Sequence, residues 1–486
     1  MAQIDHVFVL MLENRSFDHF FGLSGRPGIP RPTDPGFGPG AKDQSAADPP
    51  HEFPDVQSQV MGGTMGGFPA ASKLAFTPDQ IPVITELANQ FLLFDNWYSS
   101  LPGPTWPNRF FVHAASSGGL AASPRVIDTF TGVTLPAAAF QFENGTIYQR
   151  LTAAGKKWRV YHGDIHPQVM ALDGMVAKSF DRQFFRPVYP DATNPAASDF
   201  ATDVAAAGYD IDYTFIEPNY AIEIAAQFVH GDSQHPRGFV SAGETFIRFV
   251  YDAVRNSPVW GRSALLVLWD EHGGFYDHAS PPVAVPPGDK PFNAKRAGSG
   301  APTFGFDVLG VRVPALLVSP WVPKGALGSQ VFPGAHFDHA SVVSSLRKQF
   351  GLGGPLTQRD ASSPDWLGGL LATARPSTDA GPAKLAAPAP ALAGPMEAGL
   401  ATRKTIPTKK DDAFIEGIAL ISVDLDRYVS AKDPTRAPIA RPHGRPAANV
   451  GLAAPAAEAG IDSEAELLAY IRQVDAKVRA HKSTTP

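Results

Sequence analysis

Two segments, Val7–Leu12 and Ala264–Trp269, constrain the fold of this chain more than any other feature. Each is an unbroken apolar run of strand length. Each stops at polar, acidic residues, Glu13-Asn14 after the first and Asp270-Glu271 after the second. A strand that is apolar on both faces cannot expose either to water, so helices must cover both sides of its sheet, as in parallel α/β proteins. Further runs at Trp158–His162, Tyr213–Glu217 and Ala315–Ser319 alternate with helical patterns at Pro78–Phe91, Ala242–Asn256 and Ala340–Phe350. Thr77 is placed to cap the first helix, with Pro78 at its first position, where a missing N–H is harmless. The second repeats Ile247, Val250, Tyr251 and Val254 along one face. The expected class is α/β, with a central, mostly parallel sheet flanked by helices.

Loops occupy much of the rest. Of 486 residues, 47 are Pro and 45 Gly, while only 18% are charged. The Gly/Pro-rich insertions at about 24–70 and 280–305 are expected to wall a ligand-binding edge, because long loops inside a compact domain usually carry function. The chain divides into a body over 1–375, an Ala/Pro-rich linker over 376–402 and a C-terminal extension over 403–486. In that extension Ser463-Glu464-Ala465-Glu466 has capping-box form, and Leu467, Leu468, Ile471, Val474 and Val478 make an apolar stripe expected to pack back on the body, the alternative being that it meets a partner. With no cysteine, disulfides, thiolate metal sites and a cysteine nucleophile are excluded. A net charge of −6 provides no basic field for nucleic acid. The apolar run at the N-terminus lacks a signal-peptide pattern, and no run reaches the ~20 apolar residues of a membrane span, so a cytoplasmic protein without a transmembrane segment is expected.

The chemistry-bearing residues sit where strands end, which in open α/β sheets is the ligand edge. Glu13 and Asn14 offer oxygen ligands for a hard divalent cation, or satisfy helix-start amides. Asp270-Glu271-His272-Gly273-Gly274-Phe275-Tyr276-Asp277-His278 crowds acids and histidines behind a buried strand, which is costly unless something binds them. Gly273-Gly274 lets Asp277 and His278 fold back. In Pro102-Gly103-Pro104-Thr105-Trp106-Pro107-Asn108-Arg109 prolines hold one threonine in a stiff turn. Its hydroxyl is a nucleophile only with a metal or base beside it. Arg109 reads either as a phosphate fork or as a structural partner. Asp232 with His235, and His336 with Asp338 and His339, suit metal or phosphate contacts, or helix capping by Asp338.

Together these segments resemble the bacterial phospholipase C and acid phosphatase family, which includes the plant non-specific phospholipases C. The match runs in order through Glu13–His19, Gly103–Arg109, Phe215–Pro218, His235-Pro236 with Gly243-Glu244, Asp270–His278, Gly310–Pro314 with Ser319-Pro320, and Asp338–Ser341, over about 4–350. The resemblance implies an alkaline-phosphatase-like fold, a phosphoesterase domain over 1–375, and a divalent metal (Ca, Mg, Mn or Zn) at the sheet's C-terminal edge. Glu13, Asn14, Asp270, Glu271 and Thr105 would hold that metal, Thr105 also being the nucleophile of a phosphothreonine intermediate. His235 and His339 would act in catalysis, with Asn108, Arg109, His278 and Asp232 around the phosphate. The implied activity is that of a phospholipase C on phospholipids, with a broad-specificity acid phosphatase as the alternative and a non-catalytic binding protein as a distant one. One position departs: the family often reads His-Pro-x-x-Asp-Val, and here Phe239 replaces the aspartate. Family members are often exported.

Overall fold

The computed structural model describes residues 4–45, 47–123, 140–164, 167–189, 199–221, 231–291, 304–376, 379–389, 413–433 and 464–482, with Phe228, Arg436, Pro438 and Ile439. Its core is a sheet of seven strands: β1 (His6–Leu12), β2 (Leu92–Phe94), β3 (Trp158–His162), β4 (Phe185–Pro187), β5 (Tyr213–Glu217), β6 (Ser263–Trp269) and β7 (Ala315–Val318). Their order across the sheet is β2-β7-β6-β1-β5-β3-β4. β6, β1, β5, β3 and β4 run parallel, and β7 is antiparallel to both β6 and β2. All seven residues of β1 and all seven of β6 are buried, as their unbroken apolar character requires. The short outer strands β2 and β4 have no such signature in the sequence. The register sets Leu12 beside Trp269, so Glu13 and Asp270 leave the sheet together at one edge. That register builds the site.

The helices used below are α1 (Phe17–Phe21), α2 (Phe53–Val60), α3 (Pro82–Gln90), α4 (Thr105–Ala114), α5 (Val240–Arg255), α6 (Ala340–Phe350), α7 (Ala413–Lys432) and α8 (Glu464–Lys482). α3 starts four residues later than the periodicity predicts. Pro82 has no N–H to offer the Pro78 carbonyl, which instead accepts from the Thr85 hydroxyl (3.2 Å). Residues 77–80 form a turn, and Glu244 of α5 accepts from the Ile84 N–H (2.8 Å) to cap the true start. Phe239 leaves α5 without a local side-chain cap. Asp43, from the first insertion, replaces it by accepting from the Ser241 N–H and hydroxyl, both at 2.8 Å, while its carbonyl accepts from Val240 N–H (2.9 Å). The missing aspartate is thus supplied from 196 positions away in sequence, as ~1 kcal/mol caps can be.

The Ala/Pro segment is no free spacer where it is described. Tyr251 donates to the Pro382 carbonyl (2.6 Å), Arg255 to that of Gly381 (2.9 Å), and Leu385 is buried. Residues 390–402 of that linker, the Ser463 cap and the side chains of Leu467 and Leu468 lie outside the described residues. Ile471, Val474 and Val478 of α8 are buried against α7. α7 in turn lies on the body, where the Tyr428 ring stacks on Phe180 (4.8 Å). Among the described residues, no helix is long and apolar enough to cross a membrane.

Candidate active site

At the edge where β1 and β6 end, the chain must turn sharply, and Asn14 does so in a left-handed conformation (φ 58°) that asparagine tolerates better than most residues. The turn aims its backbone N–H at Asp270 Oδ1 (2.9 Å) and its side-chain amide at Thr105 Oγ1 (3.2 Å) and at Glu271 Oε1. Gly273 lies against this turn. Its φ is +62°, and a Cβ there would sit 2.3 Å from the Asn14 carbonyl oxygen, so only glycine fits. Thr105 is the first residue of α4, a helix buried along its whole length, and no side chain caps that end. Its hydroxyl therefore lies at the positive end of a helix dipole.

Glu13, Asn14, Asp270 and Glu271 are all 0% exposed. Asp270 is held at three points: Oδ1 accepts from the Asn14 and Glu271 N–H groups, and Oδ2 accepts from Arg109 Nε (2.9 Å). Glu271 Oε2 accepts from Gly273 N–H (2.8 Å). By contrast, both oxygens of Glu13 and Oδ1 of Asn14 are buried without a hydrogen-bond partner. Burial, reinforced by Asp270 and opposed by Arg109, raises the Glu13 carboxyl well above the usual range. Burial likewise raises Asp270 to about 6 against the pull of Arg109. Three buried carboxylates, an amide oxygen and a hydroxyl, with Glu13 Oε1 and Oε2 and Asn14 Oδ1 lacking a partner, fit a hard divalent cation.

The remaining expected residues fall into three groups. His339 packs behind Asp270: its Nε2–H donates to the Asp270 carbonyl (2.6 Å), and Nδ1 accepts from Trp97 Nε1 (3.3 Å). Burial lowers it to about 4. Both of its nitrogens are thus engaged, one by Asp270 and the other by Trp97. His235 lies flat on Phe228 (3.6 Å between ring centroids), with Nδ1 accepting from Arg237 N–H and Nε2 facing Asp48 Oδ2 at 3.5 Å.

Asn108, Arg109 and Asp232 are each engaged with surrounding backbone or buried side chains. The Asn108 amide donates to the Leu101, Gly103 and Pro104 carbonyls and accepts from Leu101 N–H, which holds the loop before Thr105. Arg109 is fully buried between Asp270 and Glu217 and donates to the Met11 and Leu12 carbonyls at the end of β1. Asp232 accepts from Asn219 N–H and the Tyr189 hydroxyl. Side-chain direction, which residue type does not encode, decides all three.

His278 joins a separate cluster, in which ligand atoms of Asp18, Asp277 and His278 lie within 4.8 Å of one another. That spacing suits an ion. Arg312, however, donates to Asp18 Oδ1 (3.0 Å) and to Asp277 (3.2 Å), and His278 bonds Asp18 Oδ2 (2.6 Å), so its carboxylates are already paired.

His51 was not marked in the sequence. The first insertion brings it to 3.9 Å from Glu271 Oε1, beside Asp48, and Gln59 of α2 anchors that insertion on His272 (2.8 Å). Burial alone would lower its pKa, but the Glu271 and Asp48 carboxylates overcome this and push it up to about 10. The signal was present as Asp48-Pro49-Pro50-His51, a polar pair stiffened by prolines. Glu217, inside the matched Phe215–Pro218 segment, was given no site role by the sequence. It ends β5 and accepts from the Gln168 and Val169 N–H groups as well as facing Arg109.

A parallel-cored sheet with an oxygen-lined pocket at its C-terminal edge defines an α/β enzyme suited to a metal and an anionic substrate. Residues 4–353 match the Phosphoesterase family, and the chain belongs to it; it is a hydrolase acting on phosphoric ester bonds. It is 32% identical to non-specific phospholipase C1 of Arabidopsis thaliana over 409 residues, covering 75% of this chain and 70% of that one. Phospholipase C A of Mycobacterium tuberculosis is 27% identical over 412 residues (72% and 74%), and the non-hemolytic phospholipase C of Pseudomonas aeruginosa is 29% identical over 393 (72% and 54%). Among solved structures, a protein of the alkaline phosphatase superfamily from Vibrio parahaemolyticus aligns with a TM-score of 0.35 at 13% identity, over 75% of this chain and 71% of that one.

Proposed function

We propose that the chain is a metal-dependent phospholipase C that cleaves phospholipids through a phosphothreonine at Thr105. The observation that carries this reading is the position of Thr105 Oγ1, 3.2 Å from the Asn14 amide, in a pocket where Glu13 and Asn14 hold three unpartnered oxygens. Glu13, Asn14, Asp270 and Glu271, with Thr105 facing them, would hold the cation, which when bound neutralises phosphoryl charge and eases ionisation of the threonine hydroxyl. Thr105 Oγ1 loses its proton to solvent and bonds to phosphorus, and the bond from phosphorus to the diacylglycerol oxygen breaks. That oxygen takes a proton from His51, which Glu271 and Asp48 hold protonated. Water then attacks the phosphothreonine, giving one proton to His51 and leaving its hydroxyl on the released head-group phosphate, while Thr105 Oγ1 regains a proton from solvent. The plant and bacterial relatives named phospholipase C support the diester reading over a phosphomonoesterase. The organisation that goes with it is one catalytic unit over 1–375 with the extension packed upon it.

The test is turnover of phosphatidylcholine and p-nitrophenyl phosphorylcholine beside p-nitrophenyl phosphate, with metal content measured by elemental analysis. Diester turnover with stoichiometric metal supports the reading. Monoester turnover alone would make the chain a phosphatase.

A further inference from the structure

Among the described residues, three large apolar side chains are conspicuously exposed: Met61 at 56%, Val283 at 89% and Val285 at 41%. They are not scattered. Met61 terminates α2, the helix that starts directly after His51-Glu52, and Gln59 two residues earlier is bonded to His272 beside Glu271. Val283 and Val285 follow the Asp277-His278 turn at the end of the other strand of the site. The two segments meet, since a Cβ on Gly63 would lie 2.8 Å from the Ser280 hydroxyl. They form one rim beside the pocket.

Two further features set this rim apart. Met61 holds a left-handed backbone (φ 46°, ψ 53°) that glycine would adopt without strain, yet a long apolar side chain is kept there and turned to water. Residues 61–72 (MGGTMGGFPAAS) and 279–288 (ASPPVAVPPG) also contain no charged side chain. The charges that flank them are already partnered: Lys73 by Asp34 at 2.7 Å, Lys290 by Glu143 at 3.0 Å, Asp289 by the Ser116 hydroxyl at 2.9 Å, and the buried Arg359, which bonds the Val285 carbonyl, by Asp338 at 2.9 Å. A partner recognised by charge would need unpaired lysines or arginines, and among the described residues 61–72 and 279–288 there are none. An apolar rim without charge suits a surface that is itself neutral overall and apolar just beneath, which is the chemistry of a zwitterionic phospholipid layer.

We propose that Met61, Val283 and Val285 form an interfacial docking rim that seats the enzyme on neutral phospholipid aggregates with the Thr105 pocket facing the layer. This deepens the phospholipase reading and rests on it for the identity of the partner. The test is co-sedimentation of the full-length chain with phosphatidylcholine vesicles, in chelator so that nothing turns over, at low and at high salt. Wild type should bind, with little loss between the two salts. Met61→Ser with Val283→Ser should weaken vesicle binding about tenfold or more, because two apolar side chains no longer leave water. Turnover of soluble p-nitrophenyl phosphorylcholine should stay within about twofold, since neither residue touches the pocket and both are exposed. No binding by wild type, undiminished binding by the double variant, or binding abolished by salt would each overturn the rim. If wild type binds and the double variant does not, yet phosphatidylcholine is never cleaved when metal is restored, the rim stands and the phospholipase reading falls.

Discussion

Arg109 offers the sharpest test of how the site is built, because its two readings predict opposite measurements. A phosphate fork would affect substrate binding, whereas the observed arginine is a buried counter-ion. It sits 2.9 Å from Asp270 Oδ2 and 3.8 Å from Glu217 Oε2, with all three side chains 0% exposed, and it donates to the Met11 and Leu12 carbonyls. Arg109→Met keeps the length and removes the charge. Removing one partner of a buried pair costs about 3–5 kcal/mol, and the lost bonds to the Met11 and Leu12 carbonyls push toward the upper end. With a urea slope of about 2–3 kcal/mol per molar, the unfolding midpoint should fall by about 1–2 M. Arg109→Lys retains a charge but cannot reach Asp270 and the β1 carbonyls together, so it should fall between. Urea unfolding followed by tryptophan fluorescence reads the midpoint, and p-nitrophenyl ester kinetics read kcat and KM. An Arg109→Met variant with the wild-type midpoint and only a raised KM would show that the guanidinium binds substrate and that the counter-ion account is wrong.

Three further outcomes are expected. Thr105→Ala should keep the fold and lose several orders of magnitude in kcat, while Thr105→Ser keeps substantial activity; a residual rate above roughly a hundredth would be no more than a lost hydrogen bond explains. Gly273→Ala should lose both activity and stability, since its Cβ would meet the Asn14 carbonyl at 2.3 Å, and a crystal structure or metal titration of the variant should show the Asn14 turn displaced. Burial pushes the Glu244 carboxyl up to about 8 although the Ile84 N–H pulls it down. Its folded pKa lies above its unfolded one of ~4.3, so the folded state binds the extra proton, and stability falls as pH rises between the two values, by on the order of a few kcal/mol. Glu244→Gln keeps the acceptor for Ile84 and should flatten urea midpoints across pH 5–9 (a range of about this width follows from those two values); an unchanged slope would sink this.

The sheet was legible because burial on both faces forces an unbroken apolar pattern, and β1 and β6 carry it without interruption. The same logic exposed the acids that end those strands. Legibility failed where geometry depends on distant partners. His51 reaches Glu271 only because α2 is pinned to His272 and residues 43–45 are pinned to α5 and its preceding turn. The far partners of these contacts, His272, Ser241 and Pro236, all lie well over a hundred positions from His51, beyond any local pattern. Local pattern misled at α3 as well, where Pro78 and Pro82 are both plausible first residues and only the Glu244 cap distinguishes them. Asn108 and Asp232 have the right chemistry for a phosphate, but their hydrogen bonds turn back into the loops that carry them.

The position of β1 has a consequence for how this protein comes into being. Of the seven strands, the earliest in the chain is the middle of the sheet, and its two neighbours are residues 213–217 and 263–269. Until more than two hundred further residues have been synthesised, an apolar strand waits with both edges unpaired, the condition under which nascent chains aggregate. The bond from Asn14 N–H to Asp270 closes a separation of 256 residues, so loop closure must be paid before the pocket exists. No fragment ending before Asp270 can hold the pocket, and a growing chain remains inert until β6 pairs with β1.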